Sequence, residues 1–287
     1  LRFTERIQRR IESQQSPLVV GLDPHWNLLP ASITALPPGE ELLLALENFL
    51  WRVVDASHPY ACAFKPQLAF FERLGPAGLA MLGRLLQRLE REGLPVILDG
   101  KRNDIGSTAA AYADAFFSPQ APWPCHALTV NGFLGGDGIE PFLNFPDHGL
   151  FVLVKTSNPG SGDLQDLRLA DGRMVCEAMA DLVSSWNRDR LDDSGYGPVG
   201  AVIGATWPNH MTALRARLPH SLILVPGFGA QGGEPAALRA AFKPDGRGAL
   251  VNSSRAICFP DTGAPDHACA VSAAARLARD QIRACLP

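Results

Sequence analysis

Leu94-Pro95-Val96-Ile97-Leu98-Asp99-Gly100-Lys101-Arg102-Asn103-Asp104-Ile105-Gly106-Ser107-Thr108 holds the junction on which the fold is read. The run 94–98 is short and continuously apolar, as a strand covered on both faces is. Ala109-Ala110-Ala111-Tyr112-Ala113 beyond it reads as a helix. Side chains alternate across a strand, so Ile97, Asp99 and Lys101 are expected on one face, with Asp104 three residues on. Desolvation offsets most of the attraction in a buried ion pair. Charges gathered at a strand end therefore suggest chemistry. A structural ion pair with a solvated Asp104 explains the spacing equally well.

The same strand–turn–helix unit recurs on both sides. Apolar runs at 17–22, 61–66, 126–130, 150–154, 199–205, 222–225 and 249–251 read as further strands. Helical stripes separate them: Leu42, Leu46, Phe49, Leu50, Val53 and Val54; Leu79, Leu82, Leu86 and Leu89, ended by Gly93; Val175, Met179, Leu182 and Trp186; and residues 210–218. A short helix over 3–14, with Phe3, Ile7 and Ile11 on one face, precedes the first strand, and an Ala-rich helix from about Asp266 follows the last. Eight apolar strands joined by crossovers most simply close into a (β/α)8 TIM barrel, with an open doubly wound sheet as the alternative. No composition break divides the chain, so residues 1–287 are expected to form a single domain.

A hydrophobic share of 46% with 19% charged residues indicates a globular protein with a full core. The net charge of -3 gives no bulk attraction to nucleic acid or to an anionic membrane, so an anionic ligand must be held by local groups. No apolar run approaches the ~20 residues that a membrane helix needs. Leu1-Arg2-Phe3-Thr4-Glu5-Arg6 is a charged amphipathic start without the apolar core of a signal peptide. The six cysteines have no C-x-x-C spacing, which suggests buried reduced thiols in a cytoplasmic protein and neither a zinc site nor a disulfide framework.

Polar residues fall at the ends of the apolar runs: Asp23, Lys65, Asp99 with Lys101, Ser157, Gln231 and Arg255. Singly, each has a plain explanation. Asp23 precedes a proline as turn residues do, Ser157 precedes Asn-Pro-Gly, and a lone arginine is usually a surface charge. Their shared position is harder to dismiss, because a barrel gathers the carboxyl ends of its strands into one mouth. The last two loops point to a phosphate. Gly227, Gly229, Gly232 and Gly233 expose backbone N–H groups, and Ser253-Ser254-Arg255 adds hydroxyls and a guanidinium.

These residues resemble the orotidine 5'-phosphate decarboxylase family, in the longer form found in bacteria such as mycobacteria. The most specific match is D-x-K-x-x-D, here Asp99, Lys101 and Asp104, continuing Ile105-Gly106-Ser107-Thr108. Supporting matches are Gly21-Leu22-Asp23-Pro24, Phe64-Lys65-Pro66, Thr156-Ser157-Asn158-Pro159-Gly160, the stretch from Pro226 to Gly233, and Asn252-Ser253-Ser254-Arg255. The resemblance implies conversion of orotidine 5'-monophosphate to UMP and CO2, without cofactor or metal. It implies a charge array of Lys65, Asp99, Lys101 and Asp104, with Lys101 as proton donor. It implies a homodimer in which Asp104 and Ile105 reach the neighbouring subunit's site. Asp23, Lys65 and Thr108 would address the ribose, Ser157 the pyrimidine, and Gln231, Arg255 and loop backbone amides the phosphate, with Ser254 also among the substrate-binding residues. Gly100 departs from the family, which has a larger residue there, and the segment 159–173 varies most. Two rivals remain: a related Mg2+-dependent sugar-phosphate barrel, such as keto-gulonate phosphate decarboxylase or hexulose phosphate synthase, and a phosphate-ligand binding protein without catalysis.

Overall fold

Strands β1 (Leu18–Leu22), β2 (Ala63–Pro66), β3 (Ile97–Arg102), β4 (Ala127–Val130), β5 (Gly149–Lys155), β6 (Val199–Ile203), β7 (Ile223–Val225) and β8 (Ala249–Ser253) pair in parallel in a computed structural model. The structure describes residues 1–227, 235–260 and 266–287. Seven neighbouring pairs run from β2 through β1 and β8 down to β3. Bridges Phe64–Val96 and Gln67–Asp99 close the ring between β2 and β3. The barrel expected from the alternation of elements is therefore the observed fold, and the open sheet is not.

Helices α1 (Phe3–Gln14), α2 (Glu40–Ser57), α3 (Gly75–Arg91), α4 (Gly106–Phe117), α5 (Val175–Trp186), α6 (Pro208–Arg217), α7 (Pro235–Ala241) and α8 (His267–Ala284) complete the units. Between β4 and β5 stand only short pieces: the 3-10 turns Gly132–Leu134 and Gly136–Gly138 and the four-residue helix Glu140–Leu143. Asp266 caps α8, its carboxylate accepting from the Cys269 N–H at 2.8 Å. No described helix is long and apolar enough to cross a membrane.

Strand alternation sorts the apolar residues into two cores. Val19, Ala63, Ile97, Ala127, Phe151, Val202, Leu224 and Leu250 fill the barrel. Their neighbours Val20, Phe64, Leu98, Leu128, Val152, Ile203, Val225 and Val251 face the helices. Helix α1 closes the amino-terminal end. Phe3 meets Phe151 edge to face at 5.9 Å, and Ile7 is fully buried beside it. Burial of each such side chain stabilises by about 1.5–3 kcal/mol, which fixes α1 as the barrel's floor.

Two details differ from expectation. On α5 the buried stripe is Cys176, Ala180, Val183 and Trp186, while Leu182 is 42% exposed. Trp186 belongs to both stripes, but Val175, Met179 and Leu182 each stand one residue, or 100°, before a buried one; small Cys176 and Ala180 let the helix sit against β5 and β6. All six cysteines are free, and Cys62, Cys125, Cys176 and Cys258 are buried, but Cys269 is exposed and Cys285 half-buried on or beside α8.

Candidate active site

The inward register of the barrel sets the site. Two residues above Ala63, Ile97, Ala127 and Phe151 stand Lys65, Asp99, Thr129 and Leu153, so one step of alternation brings charge and a hydroxyl into three of the four positions while Leu153 stays apolar. These four line a cavity of about 420 Å³ at the carboxyl ends of the strands. Leu153, Val202 and Leu224 form its apolar wall, and Ser157, Asn158 and Gln165 its rim. A larger groove of about 780 Å³ runs between α2 and α3 outside the barrel. There Arg84 pairs with Glu47, and Arg88 lies over the Trp51 ring and pairs with Glu92.

Asp99 is the centre of the array. Its Oδ2 accepts from Lys65 Nζ at 2.8 Å and its Oδ1 from Lys101 Nζ at 2.6 Å. The Thr129 hydroxyl also donates to Oδ1, at 2.8 Å. Burial works against both charged partners of the inner pair. The attraction is larger: Lys65 and Lys101 hold the Asp99 carboxyl well below the usual carboxylate range, and Asp99 with Asp23 holds the Lys65 ammonium above the ordinary lysine value. The two ammonium groups differ in setting. The Lys65 side chain is 6% exposed and that of Lys101 is 46% exposed.

Simple alternation does not place Lys101. Leu98 pairs with Leu128 and Arg102 with Val130, so residues 99–101 bulge out of register. Lys101 takes φ +47°, a left-handed conformation that costs a non-glycine residue about 1 kcal/mol or more. Its backbone N–H donates to Thr129 Oγ1 at 3.0 Å. The bulge turns the Lys101 side chain back over the Asp99 carboxylate, and Arg102 leaves the barrel to pair with Glu72.

Two close approaches pack the mouth. A Cβ at position 21 would stand 2.6 Å from the Ser254 Cβ, so glycine there lets β8's end reach β1. Ser254 then donates to Asp23 Oδ2 at 2.6 Å. Asp23 is buried, and its Oδ1 has no hydrogen-bond partner among the described residues. A Cβ at position 204 would meet the Ser157 backbone at 2.8 Å, so Gly204 sets the depth of that serine.

The sequence profile described as "Orotidine 5'-phosphate decarboxylase / HUMPS family" matches residues 16–273. The chain belongs to this family. A Rhodopirellula baltica protein named orotidine 5'-phosphate decarboxylase is 47% identical over 267 residues, 90% of this chain and 88% of its own. One of that name from Roseiflexus castenholzii is 44% identical over 288 residues, covering 100% of this chain and 99% of its own. The solved structure of Leishmania donovani OMP decarboxylase superposes with a TM-score of 0.82 at 36% identity, over 99% of each chain.

Within the family frame, Lys65, Asp99, Lys101 and Ser157 share the cavity. Asp23 and Ser254 lie on the same mouth, joined to each other, and Arg255 is exposed at the start of the short helix Arg255–Cys258. Gln231 lies outside the described residues. Asp104, Ile105 and Thr108 do not line this chain's cavity. Asp104 accepts from the Ile105 N–H at 2.8 Å, Ile105 is 51% exposed, and Thr108 is exposed on α4.

Three contributors were not singled out in the sequence. Thr129 follows from Ala127 by alternation. Gln165 binds Thr156 through backbone and hydroxyl, at 2.9 Å each, and only the folded segment brings it to the rim. Lys155, fully buried, pairs with Asp166 at 2.7 Å and lies 4.7 Å from the Trp207 ring centroid, fastening that segment to the barrel.

Proposed function

We propose that the chain is an orotidine 5'-phosphate decarboxylase that converts orotidine 5'-monophosphate to UMP and CO2 in pyrimidine biosynthesis, by direct decarboxylation with Lys101 as proton donor. The observation that carries this reading is the Lys65–Asp99–Lys101 array bordering an apolar-walled cavity. In the reaction the bond from C6 to the carboxylate carbon breaks, CO2 departs, and the electron pair stays on C6. The Lys101 ammonium stabilises that carbanion and then gives it a proton, leaving a neutral amine to be reprotonated by solvent. Fixed charges act strongly here because their own geometry is set before substrate arrives. Asp99 beside the substrate carboxylate disfavours the bound reactant, and loss of CO2 relieves the repulsion.

The remaining roles are part of the same proposal. Ser157 bonds the pyrimidine. Asp23, with Oδ1 still able to accept, addresses the ribose with Lys65 and Thr108. Gln231, Arg255 and loop backbone amides hold the phosphate, a group suited to the guanidinium's paired donors, and Ser254 borders the substrate while its hydroxyl steadies Asp23. The reading includes a homodimer, with Asp104 and Ile105 given to the neighbour's site. Ile105, Phe133 and Leu134 support it: all are exposed, at 51%, 71% and 44%, on adjoining loops beyond β3 and β4. Against a divalent-metal reading stands the Asp99 carboxylate itself, whose two oxygens already hold two ammonium groups.

The test is loss of orotidine 5'-monophosphate absorbance with EDTA present. Wild-type turnover is expected, and Lys101→Ala should abolish it with the fold intact. No turnover by the wild type, dependence on Mg2+, or near-normal UMP formation by Lys101→Ala would each overturn the proposal.

A further inference from the structure

We propose that Thr129 is a positioning residue for the charge array: its one hydroxyl locks the Asp99 carboxylate and the Lys101 main chain into a single geometry. The inference rests on the reading of Lys101 as proton donor. Thr129 is 1% exposed, so its hydroxyl must find its partners within the protein. It finds two. The hydroxyl proton goes to Asp99 Oδ1 at 2.8 Å, and the oxygen accepts the Lys101 N–H at 3.0 Å. An ionised carboxylate only accepts and a backbone N–H only donates, so the direction of both bonds is fixed.

The bulge explains why such a tie is needed. Lys101 falls between the ladder pairs Leu98–Leu128 and Arg102–Val130, where the sheet supplies its N–H with no regular partner. Its φ of +47° is held against the ordinary preference of a lysine. The Thr129 oxygen replaces the missing ladder acceptor. The same Asp99 oxygen receives both Thr129 and the Lys101 ammonium, at 2.8 and 2.6 Å. Main chain, hydroxyl and carboxylate therefore form a closed ring with the lysine side chain. Without the hydroxyl, the lysine backbone is free to relax and carry Nζ off the reacting carbon.

Thr129→Val removes the hydroxyl at nearly constant volume, and Thr129→Ser keeps it. For Thr129→Val we expect kcat to fall ~100-fold, the scale of a misplacement of about 1 Å. UMP affinity should stay within about threefold. Thr129→Ser should recover kcat to within about fivefold of wild type. The Lys101 amide should exchange with solvent at least ~10-fold faster in Thr129→Val, a readout independent of turnover. If Thr129→Val fails to fold, Thr129→Ala, which has neither donor nor acceptor there, carries the same expectation. A Val or Ala variant with kcat within threefold of an active wild type, or a loss confined to KM, overturns the positioning role. A Ser variant no better than Val does the same. An inactive wild type in the same assay instead overturns the proposed function.

Discussion

Asp99→Asn separates the two halves of the array by their stability. The substitution keeps the shape of the side chain but removes the charge shared by Lys65 and Lys101. Lys101 is 46% exposed, so solvent replaces its partner and the loss is about 0–1 kcal/mol. Lys65 is 6% exposed and would keep an ammonium with no direct counterion, a change that costs about 3–5 kcal/mol. Asp23 still acts on Lys65, which favours the low end, about 3 kcal/mol. For 287 residues, unfolding entropy of ~2.1 cal/mol/K per residue converts this to a Tm lowered by about 5 °C. The deficit should hold across pH ~5–10. Asp99 has a depressed folded pKa, so its contribution is present above the unfolded value and lost only as pH falls through the folded one. Lys65 has a raised one, so the pair's contribution is lost at the other end as pH rises through it. Calorimetric unfolding of wild type, Asp99→Asn and Lys101→Met is the assay. A Tm for Asp99→Asn within 1 °C of wild type, or a Lys101→Met variant equally destabilised, would refute the unequal division of the array.

Arg255→Ala should raise KM for orotidine 5'-monophosphate by about tenfold or more with kcat largely kept, since a charge-assisted phosphate contact is worth about 1.5–3 kcal/mol; steady-state kinetics checks it, and a loss confined to kcat would contradict the phosphate role. Asp166→Asn leaves the fully buried Lys155 ammonium without its carboxylate and should cost about 3 kcal/mol by urea unfolding. His126 is kept neutral, its pKa pulled down to about 3 by burial and by Arg6 and His148, while its Nδ1 accepts from the Val96 N–H at 3.1 Å. Between pH 6.5 and 3 the unfolded chain binds a proton that the fold refuses, so stability falls with pH there, by ~1.4 kcal/mol per unit for one proton. His126→Asn keeps an acceptor and should flatten that slope in acid titrations followed by circular dichroism.

The barrel was legible because its strands are covered on both faces, which makes each one a brief, uninterrupted apolar run with a polar end. Lys65, Asp99 and Ser157 were legible for the same reason: each ends a run, and a barrel brings such ends together. Lys101 was expected beside Asp99 by alternation, but alternation fails at the bulge, and a left-handed residue makes the contact instead. Thr129 resembled an ordinary β-branched strand residue, and its role emerges only from what stands two residues below and one strand away. Lys155 and Gln165 depend on how 156–166 folds back, which no periodicity encodes. On α5, large side chains were given more weight than small ones, although Cys176 and Ala180 set how close the helix packs.

Helix α1 makes the barrel a blind well. With Phe3 and Ile7 seated under Phe151, traffic beneath the charged layer is shut off, and the mouth serves for entry and exit alike. Under the proposed chemistry, reactant, gas, nucleotide product and the replacement proton for Lys101 all queue at one opening. Turnover is then sequential by architecture: one nucleotide must vacate the shaft before the next can enter, while the half-exposed Lys101 amine recharges from the water at that same opening.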